Sequence, residues 1–167
     1  IFTLSLHDAL PIFGLTGGVD QEVGVVLLPG KFNQLEGFPI VSMLKDHFHV
    51  PVYADNDGRL AAYAEKYYGS AQNKDWAVII TIGTGIGSGV IIDGKIIKDP
   101  HLMFGTQLGH LIINKDDHQT CLTGNVGTGE IFCSATALAL QVRNAIQRRV
   151  PSLLADAYYN NPFTIDF

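Results

Sequence analysis

The chain has 167 residues, of which 47% are hydrophobic and 16% charged, and its formal net charge is −5. This composition can build a sizeable core, but it argues against nucleic-acid binding, which needs clustered Lys and Arg. No apolar run approaches the ~18 residues of a membrane span, and two cysteines cannot make a disulfide framework. We therefore expect a soluble globular body, or a piece of one, in a reducing cytoplasmic setting without membrane or nucleic-acid partners.

The two ends of the chain differ from the rest. Residues 1–12 are apolar but lack the basic start and the cleavage site of a signal peptide. They resemble a translated sequencing-adapter tail, so we expect them to be non-native, and a native first strand is the alternative. The chain has no starting Met and stops in mid-pattern at Phe167, which predicts a fragment.

The first half of the chain predicts alternating strands and helices. Apolar runs predict strands over Val23–Leu28 and Val50–Ala54, and helical spacing predicts helices over Val41–Phe48 and Arg59–Tyr68. The polar break that follows Gly69 predicts a boundary between two lobes, at residues 13–72 and 73–167.

The second half begins with the strongly apolar run Trp76–Ile82, which predicts a strand buried on both faces. A glycine turn, a return strand over Val90–Ile92 and an Asp93-Gly94 hairpin turn into Lys95–Ile97 follow. One helix is predicted from Glu130 to Arg149. Its apolar stripe consists of Ile131, Ala135, Leu138, Val142 and Ile146. Strands followed by helices indicate an α/β protein.

The glycine turn from Gly83 to Gly89 is a candidate phosphate site. Glycines let backbone N–H groups approach a phosphate closely, and Thr84 adds a hydroxyl donor. An ordinary glycine hairpin is the alternative. A Walker loop is excluded because no Gly-Lys-Ser/Thr follows, and a dinucleotide fingerprint because a strand comes next.

The segment Asp55-Asn56-Asp57-Gly58 lies where a strand ends and a helix begins. One interpretation is a turn and helix cap, because Asn and Asp are favoured there. The other is an Asp that removes a proton from a sugar hydroxyl while Asn56 holds the neighbouring one. A calcium loop fails, because its glycine would have to fall later in the segment.

Further polar candidates are His110 and Glu130, although a lone His beside an apolar run can equally be structural. Cys121 and Cys133 form no CxxC pair, so even with His110 and His118 they give only a weak zinc signal.

The order of these features resembles the ROK family, which groups sugar kinases and sugar-responsive repressors on an actin-like (ribonuclease H-like), two-lobed α/β fold. The resemblance covers residues 13–167, and we expect the fold to be truncated at both ends. Phe13 to Asp20 resembles the family's loop after its third strand, and Phe32 to Pro39 the segment before its first sugar-side helix. The motifs that carry it are Asn56-Asp57, Ile82-Gly-Thr-Gly-Ile-Gly87, Gln107-Leu-Gly-His110 and Cys121-Leu-Thr-Gly124 to Gly129-Glu130.

The resemblance implies a role for each matching residue. Asp57 corresponds to the catalytic base, and Gln107 stands where the family usually has Glu. The implied sugar-binding residues are Asn56, Asp57, Gln107, His110 and Glu130. The implied ATP-binding residues are Gly83, Thr84, Gly85 and Gly87.

Two departures from the family pattern matter. Cys121, Thr123 and Thr128 stand at the three zinc cysteines, and a Thr hydroxyl cannot replace a thiolate at a structural zinc. We therefore predict that zinc is absent, that the chain has no metal ligands and that hydrogen bonds hold this loop. Gln107 removes a negative charge but can still bond a hydroxyl, so sugar binding is expected with an altered preference.

The resemblance predicts ATP-dependent phosphorylation of a hexose or amino-hexose, with Mg²⁺, in the complete protein. The alternative is a sugar-sensing transcriptional repressor with a helix-turn-helix in front, and the intact glycine loop favours the kinase. The family's first phosphate loop, Asp-x-Gly-Gly-Thr, would lie upstream and its adenosine-binding portion downstream, so we expect these 167 residues to be inactive alone. A homodimer is implied only by the resemblance.

Overall fold

The computed structural model describes residues 12–28, 33–98, 107–121 and 123–160. Their strands are β1 (Ile12–Leu15), β2 (Gly18–Asp20), β3 (Val25–Leu28), β4 (Tyr53–Asn56), β5 (Ala77–Ile82), β6 (Ile86–Ile92) and β7 (Lys95–Ile96). Their α-helices are α1 (Ile40–Phe48), α2 (Asp57–Tyr68), α3 (Gly129–Cys133), α4 (Ala135–Gln147) and α5 (Leu153–Asn160). In this part of the chain, every helix is too short or too polar to cross a membrane.

The strands form three small sheets. β1 pairs in parallel with β4, from Ile12 opposite Tyr53 to Leu15 opposite Asn56, so both strands end at the start of α2. β2 pairs antiparallel with β3, and β5, β6 and β7 are hydrogen-bonded in that order. The β1–β4 pair therefore places the Asn56-Asp57 motif at the carboxyl end of two parallel strands.

The described residues fall into two compact units. The first unit contains the described residues of Ile1–Thr81 and Gly87–Leu108, and the second unit contains those of Ile82–Ile86 and Gly109–Phe167. The core of the first contains Val19, Val26, Leu44, Val52, Ala54, Ala62, Ala71 and Ile91. The core of the second contains Cys121, Ala137, Ile146 and Ala155. The predicted lobe boundary after residue 72 lies inside the first unit and stays a prediction.

Several predicted elements are confirmed with shifted ends. α1 covers the predicted helix over Val41–Phe48, and α2 begins two residues before Arg59. The hairpin turn is confirmed by positive φ angles of 49° at Asp93 and 67° at Gly94, as a tight β-turn of the hairpin type requires. β4 begins only at Tyr53, beyond Pro51, which has no N–H for a strand ladder.

The segments at the two ends of the resemblance are described only in part. Phe13 to Asp20, which resembles a family loop, contains β1 and β2, and Ile12 of the predicted tail is the first residue of β1. Residues 1–11, Phe32 and the chain beyond Asn160 lie outside the described residues.

The prediction that Trp76–Ile82 is buried on both faces is wrong. Exposure alternates along β5, and Val78, Ile80 and Ile82 are each more than half exposed. A continuous apolar run has no periodicity that could identify the covered face, so the sequence could not reveal this alternation.

The predicted single helix from Glu130 to Arg149 is also wrong. Ser134 is extended, with φ −75° and ψ 163°, and its hydroxyl accepts a hydrogen bond from the Ala137 N–H at 3.1 Å. Ser favours such a cap over a helix interior, so α3 ends there and α4 begins anew. The predicted apolar stripe is confirmed at Ile146, which is buried, and wrong at Leu138, which is 61% exposed while its neighbour Ala137 is buried.

Candidate functional site

The site begins where β4 runs into α2. Asn56 is the N-cap of α2: its side-chain oxygen accepts from the Arg59 N–H at 3.1 Å, and its amide donates to the Gly17 carbonyl at 2.8 Å. It is only 3% exposed. The helix-cap interpretation is thus confirmed for Asn56, and its predicted contact with sugar stays a prediction.

Asp57 is the first residue of α2, and its side chain is exposed. Its Oδ1 accepts a hydrogen bond from the Gly58 N–H at 2.8 Å. An acidic residue in the first turn of a helix is a favourable placement, because the helix dipole has its positive end there. Asp57 is therefore an acceptor that a ligand can reach from solvent.

A buried ion pair stabilises the junction between β4 and α2. Arg59 is 1% exposed, and its Nε donates to Asp55 Oδ1 at 2.7 Å, while Nη2 lies 2.6 Å from the same oxygen. The Asn56 N–H donates to Asp55 Oδ1 at 2.7 Å, and Gln21 donates to Oδ2. Burial, and then the Asp55 charge, raises the pKa of Tyr63. Sequence reasoning missed this pair, because Asp55 belongs to a strand and Arg59 to the following helix, so no helical spacing links them.

Helix α2 packs directly on the strand that leads out of the glycine turn. A Cβ at Gly58 would lie 2.6 Å from the Ser88 nitrogen, and one at Gly87 would lie 3.3 Å from the Gly58 Cα. A Cβ at Gly89 would run into the methyl group of Ala62. Three glycines thus permit backbone contact here, which places Asp57 beside the start of β6.

Gln107 is also brought to β6. It precedes a short 3-10 helix, Leu108–His110, whose Leu108 N–H donates to the Ser88 hydroxyl at 3.1 Å. Ser88 is fully buried, and Gln107 itself is half-buried.

The glycine loop proper, 83–85, is held by residues of α3 and α4. The Gly83 N–H donates to the Gly85 carbonyl at 2.9 Å, which makes the turn tight. The Ala135 N–H donates to the Gly83 carbonyl at 2.9 Å, and the Thr136 hydroxyl to the Thr84 carbonyl at 2.7 Å. These two contacts were not foreseen, because more than fifty residues separate the partners.

Glu130 reaches the same loop from α3. Its carboxylate accepts from the Ile86 N–H at 3.0 Å, and a Cβ at Gly85 would run into that carboxylate. Glu130 therefore bonds to the glycine loop. The predicted contact of Glu130 with sugar stays a prediction.

The segment that carries His110 lies against the far end of this loop. A Cβ at Gly109 would lie 2.7 Å from the Ile86 carbonyl oxygen, so only glycine fits there. The Gly129 N–H donates to the Leu111 carbonyl at 2.9 Å, and Ile112 forms a bridge with Thr128. These contacts join the His110 and Glu130 segments within the second unit.

The residues at the family's zinc positions gather around Cys121. The Cys121 Sγ lies 3.0 Å from the Thr123 hydroxyl. His110 Nδ1 and Thr128 Oγ1 are buried nearby without a hydrogen-bond partner of ordinary geometry in the described part of the chain. Burial raises the pKa of the Cys121 thiol, but the polar groups of Thr123, and at longer range those of Thr128 and His110, outweigh it and lower the pKa to about 7.

This donor set does not fit a structural zinc. One thiol, one imidazole and two hydroxyls fall short of the four nitrogen or sulfur ligands that the ion requires. Residues 12–28, 33–98, 107–121 and 123–160 contain no group of three His, Cys, Asp or Glu side chains that could hold a metal. The expected hydrogen bonding from a substituted threonine is confirmed by the Cys121–Thr123 contact, whereas the absence of zinc stays a prediction.

The predicted site residues thus divide between the two units. Asn56, Asp57, Gly87 and Gln107 lie in the first, and Gly83, Thr84, Gly85, His110 and Glu130 in the second. Within each unit the structure brings them to one region, around the start of β6 in the first and around the glycine loop in the second.

Comparison with known proteins adds both catalytic and regulatory relatives. The xylose repressor of Caldicellulosiruptor bescii is 31% identical over 82% of this chain and 34% of its own length. A ROK family transcriptional regulator, a homologue of the E. coli MLC protein, superposes with a TM-score of 0.77 at 33% identity, over 89% of this chain and 37% of its own. A ROK family glucokinase from Streptomyces griseus, solved with glucose and AMPPNP, gives 0.70 at 30% identity, over 93% and 46%.

The chain therefore spans between about a third and a half of these relatives. Its α/β architecture corresponds to part of the actin-like fold of ROK sugar kinases, as predicted. The ROK family itself matches over residues 11–164, nearly the whole chain. On the strength of that match and of the placement of its motifs, this chain belongs to the ROK family.

Proposed function

We propose that the complete protein transfers the γ-phosphoryl group of ATP to a hydroxyl of a hexose or amino-hexose. The observation that carries this proposal is the position of Asp57. Its exposed carboxylate begins α2, which packs on the strand leaving the glycine loop. A base in that position can reach a sugar from solvent while a rigid helix and strand hold it in place.

Asp57 would accept the proton of the attacking hydroxyl, whose oxygen forms the new bond to phosphorus as ADP leaves. General-base catalysis of this kind contributes about 100- to 10,000-fold to a rate. Asp55 is unsuited to that role, because its carboxylate is buried and paired with Arg59. The two neighbouring aspartates therefore have different tasks, and Asp57 is the one available to a substrate.

The glycine loop would bind the phosphates. Phosphoryl transfer depends mainly on positioning and on neutralising charge around the transferred group. Thr84 offers a hydroxyl, and the loop offers backbone N–H groups that the contacts with Ala135 and Thr136 hold in one orientation. Mg²⁺ would reach the site with the nucleotide, since phosphate oxygens are among its preferred ligands, and would neutralise phosphate charge.

A second candidate is a sugar-sensing repressor. It is favoured by the similarity to the xylose repressor and to the ROK family regulator, both above 30% identity. In that case Asn56 and Asp57 would bind sugar without chemistry. The anchored glycine loop supports the kinase, because a sensor of sugar alone has no need to bind a nucleotide.

The test is a sugar panel on the full-length protein, with ADP release as the readout and sugar binding measured by calorimetry. We expect turnover with at least one hexose, and we expect Asp57→Asn to lower it at least about 100-fold while sugar binding remains measurable. Asp93→Asn, the same change at an exposed hairpin turn, is the matched control. Near-normal turnover of Asp57→Asn contradicts the assigned base, and sugar binding without ATP binding in the unaltered protein favours the repressor.

A further inference from the structure

Two carbonyl groups of the glycine loop, those of Gly83 and Thr84, point towards the start of α4. The Gly83 carbonyl accepts from the Ala135 N–H, and the Thr84 carbonyl accepts from the Thr136 hydroxyl. In a trans peptide the C=O and the following N–H point in opposite directions. The N–H groups of Thr84 and Gly85 are therefore directed away from α4. An anion that approaches the loop from that side could accept hydrogen bonds from them.

We propose that Thr136 is a positioning residue for the phosphate-binding loop. Its hydroxyl holds the Thr84–Gly85 peptide so that the Gly85 N–H faces the nucleotide. This inference rests on the proposed function, since it assigns the nucleotide to this loop. It adds a residue outside the glycine motif, and it makes the start of α4 part of the ATP site.

The other contacts at this helix start leave that task to the Thr136 side chain. The Ser134 hydroxyl caps the helix by accepting from the Ala137 N–H, and the Ala135 N–H donates to the Gly83 carbonyl. Neither contact involves the carbonyl of Thr84. The Glu130 carboxylate of α3 accepts a hydrogen bond from the Ile86 N–H at 3.0 Å, and a Cβ at Gly85 would run into that carboxylate. Side chains of α3 and α4 thus both bond to the loop that contains the Thr84–Gly85 peptide.

Thr136 is exposed, so its replacement leaves no cavity in the core. A change at this position should therefore act on the loop and not on the fold. A peptide that loses its anchor can rotate, since glycine on one side permits a wide range of φ and ψ. The Gly85 N–H would then have no fixed direction before ATP binds. The conformational entropy lost when it is ordered would weaken ATP binding.

The experiment compares Thr136→Val, which keeps the side-chain shape without the hydroxyl, with Thr136→Ser, which keeps the hydroxyl. Both are made in the full-length protein, and Thr120→Val, at another exposed threonine of the same unit, is the control. We expect Thr136→Val to lower kcat/KM for ATP about fivefold, the effect of one hydrogen bond. Thr136→Ser and Thr120→Val should stay within about twofold, and KM for sugar should not change.

Three results would overturn the inference: an unchanged kcat/KM for ATP in Thr136→Val, an equal loss in Thr136→Ser, or a parallel loss of sugar affinity and thermal stability. These leave the proposed function intact, because the unaltered protein would still phosphorylate sugar. If the unaltered protein neither binds nor hydrolyses ATP, the proposed function fails and this inference fails with it.

Discussion

The contact between α2 and β6 predicts that Gly58→Ala destabilises the protein. A Cβ at residue 58 would lie 2.6 Å from the Ser88 nitrogen and 3.1 Å from both the Gly87 Cα and its carbonyl carbon. Ordinary van der Waals contact begins at about 3.4 Å, and the atoms it meets are backbone atoms of a paired strand. A side-chain rotation cannot relieve this overlap, so the helix or the strand must move.

Two opposing effects set the size of the loss. Overpacking a tight site costs about 1–3 kcal/mol. Replacing glycine by alanine in a helix gains at most about 1 kcal/mol, and less in the first turn, where residue 58 lies. The overlap is therefore the larger effect, and we expect the free energy of unfolding to fall by about 1–2 kcal/mol.

Urea unfolding of the full-length protein, followed by circular dichroism, measures this change. Gly83→Ala is the matched control, because a Cβ there meets nothing within 4 Å and the φ of Gly83 is not left-handed. Only Gly58→Ala should unfold at lower urea. The packing argument is refuted if Gly58→Ala matches or exceeds the unaltered protein in stability, or if both glycine variants lose stability equally.

Two further perturbations test the buried polar groups. Arg59→Met leaves the Asp55 carboxylate buried without its cation, so the free energy of unfolding measured in urea should fall by about 3–5 kcal/mol. Adding Asp55→Asn should restore part of this loss. A loss below about 1 kcal/mol contradicts the structural role of the pair. Folding lowers the pKa of Cys121 from 9.0 to about 7, so the thiolate stabilises the folded state above the unfolded pKa, and this contribution is lost as the pH falls through about 7. Thiolate absorbance in the near ultraviolet should appear around that pH in the folded protein. The free energy of unfolding should rise by about 1–3 kcal/mol between pH 7 and pH 9. Cys121→Ser should abolish this rise, and Cys133→Ser should retain it. A stability profile of Cys121→Ser that still rises over this range would show that other groups are responsible.

The parts of the site that local chemistry decides could be predicted from the sequence. Asn and Asp after an apolar run indicate a strand end and a helix cap, and Asn56 forms that cap. Asp93-Gly94 likewise determines its own turn, because both residues tolerate a positive φ. In each case the neighbouring residues alone provide the driving force, so no knowledge of the rest of the fold is needed.

Contacts between distant segments could not be predicted in this way. Thr136 and Thr84 meet across the second unit, and no periodicity links their positions. The break at Ser134 was hidden for a related reason, since apolar residues continue at helical spacing on both sides of it. The covered face of β5 depends on which segments pack against that strand, and an unbroken apolar run carries no information about them.

The packing of α2 changes how the glycine motif itself should be interpreted. Gly87 and Gly89 are required by their contact with Gly58 and Ala62, so a repressor with the same fold would need small residues there too. Those two glycines therefore do not distinguish a kinase from a sensor. Gly83 is different: space around it is open and its φ lies outside the left-handed region, so neither packing nor a positive φ requires glycine. Close approach of a phosphate to the backbone does provide a reason for glycine at that position. The case for ATP therefore depends on Gly83 and on the orientation of the Thr84–Gly85 peptide, and not on the number of glycines in the loop.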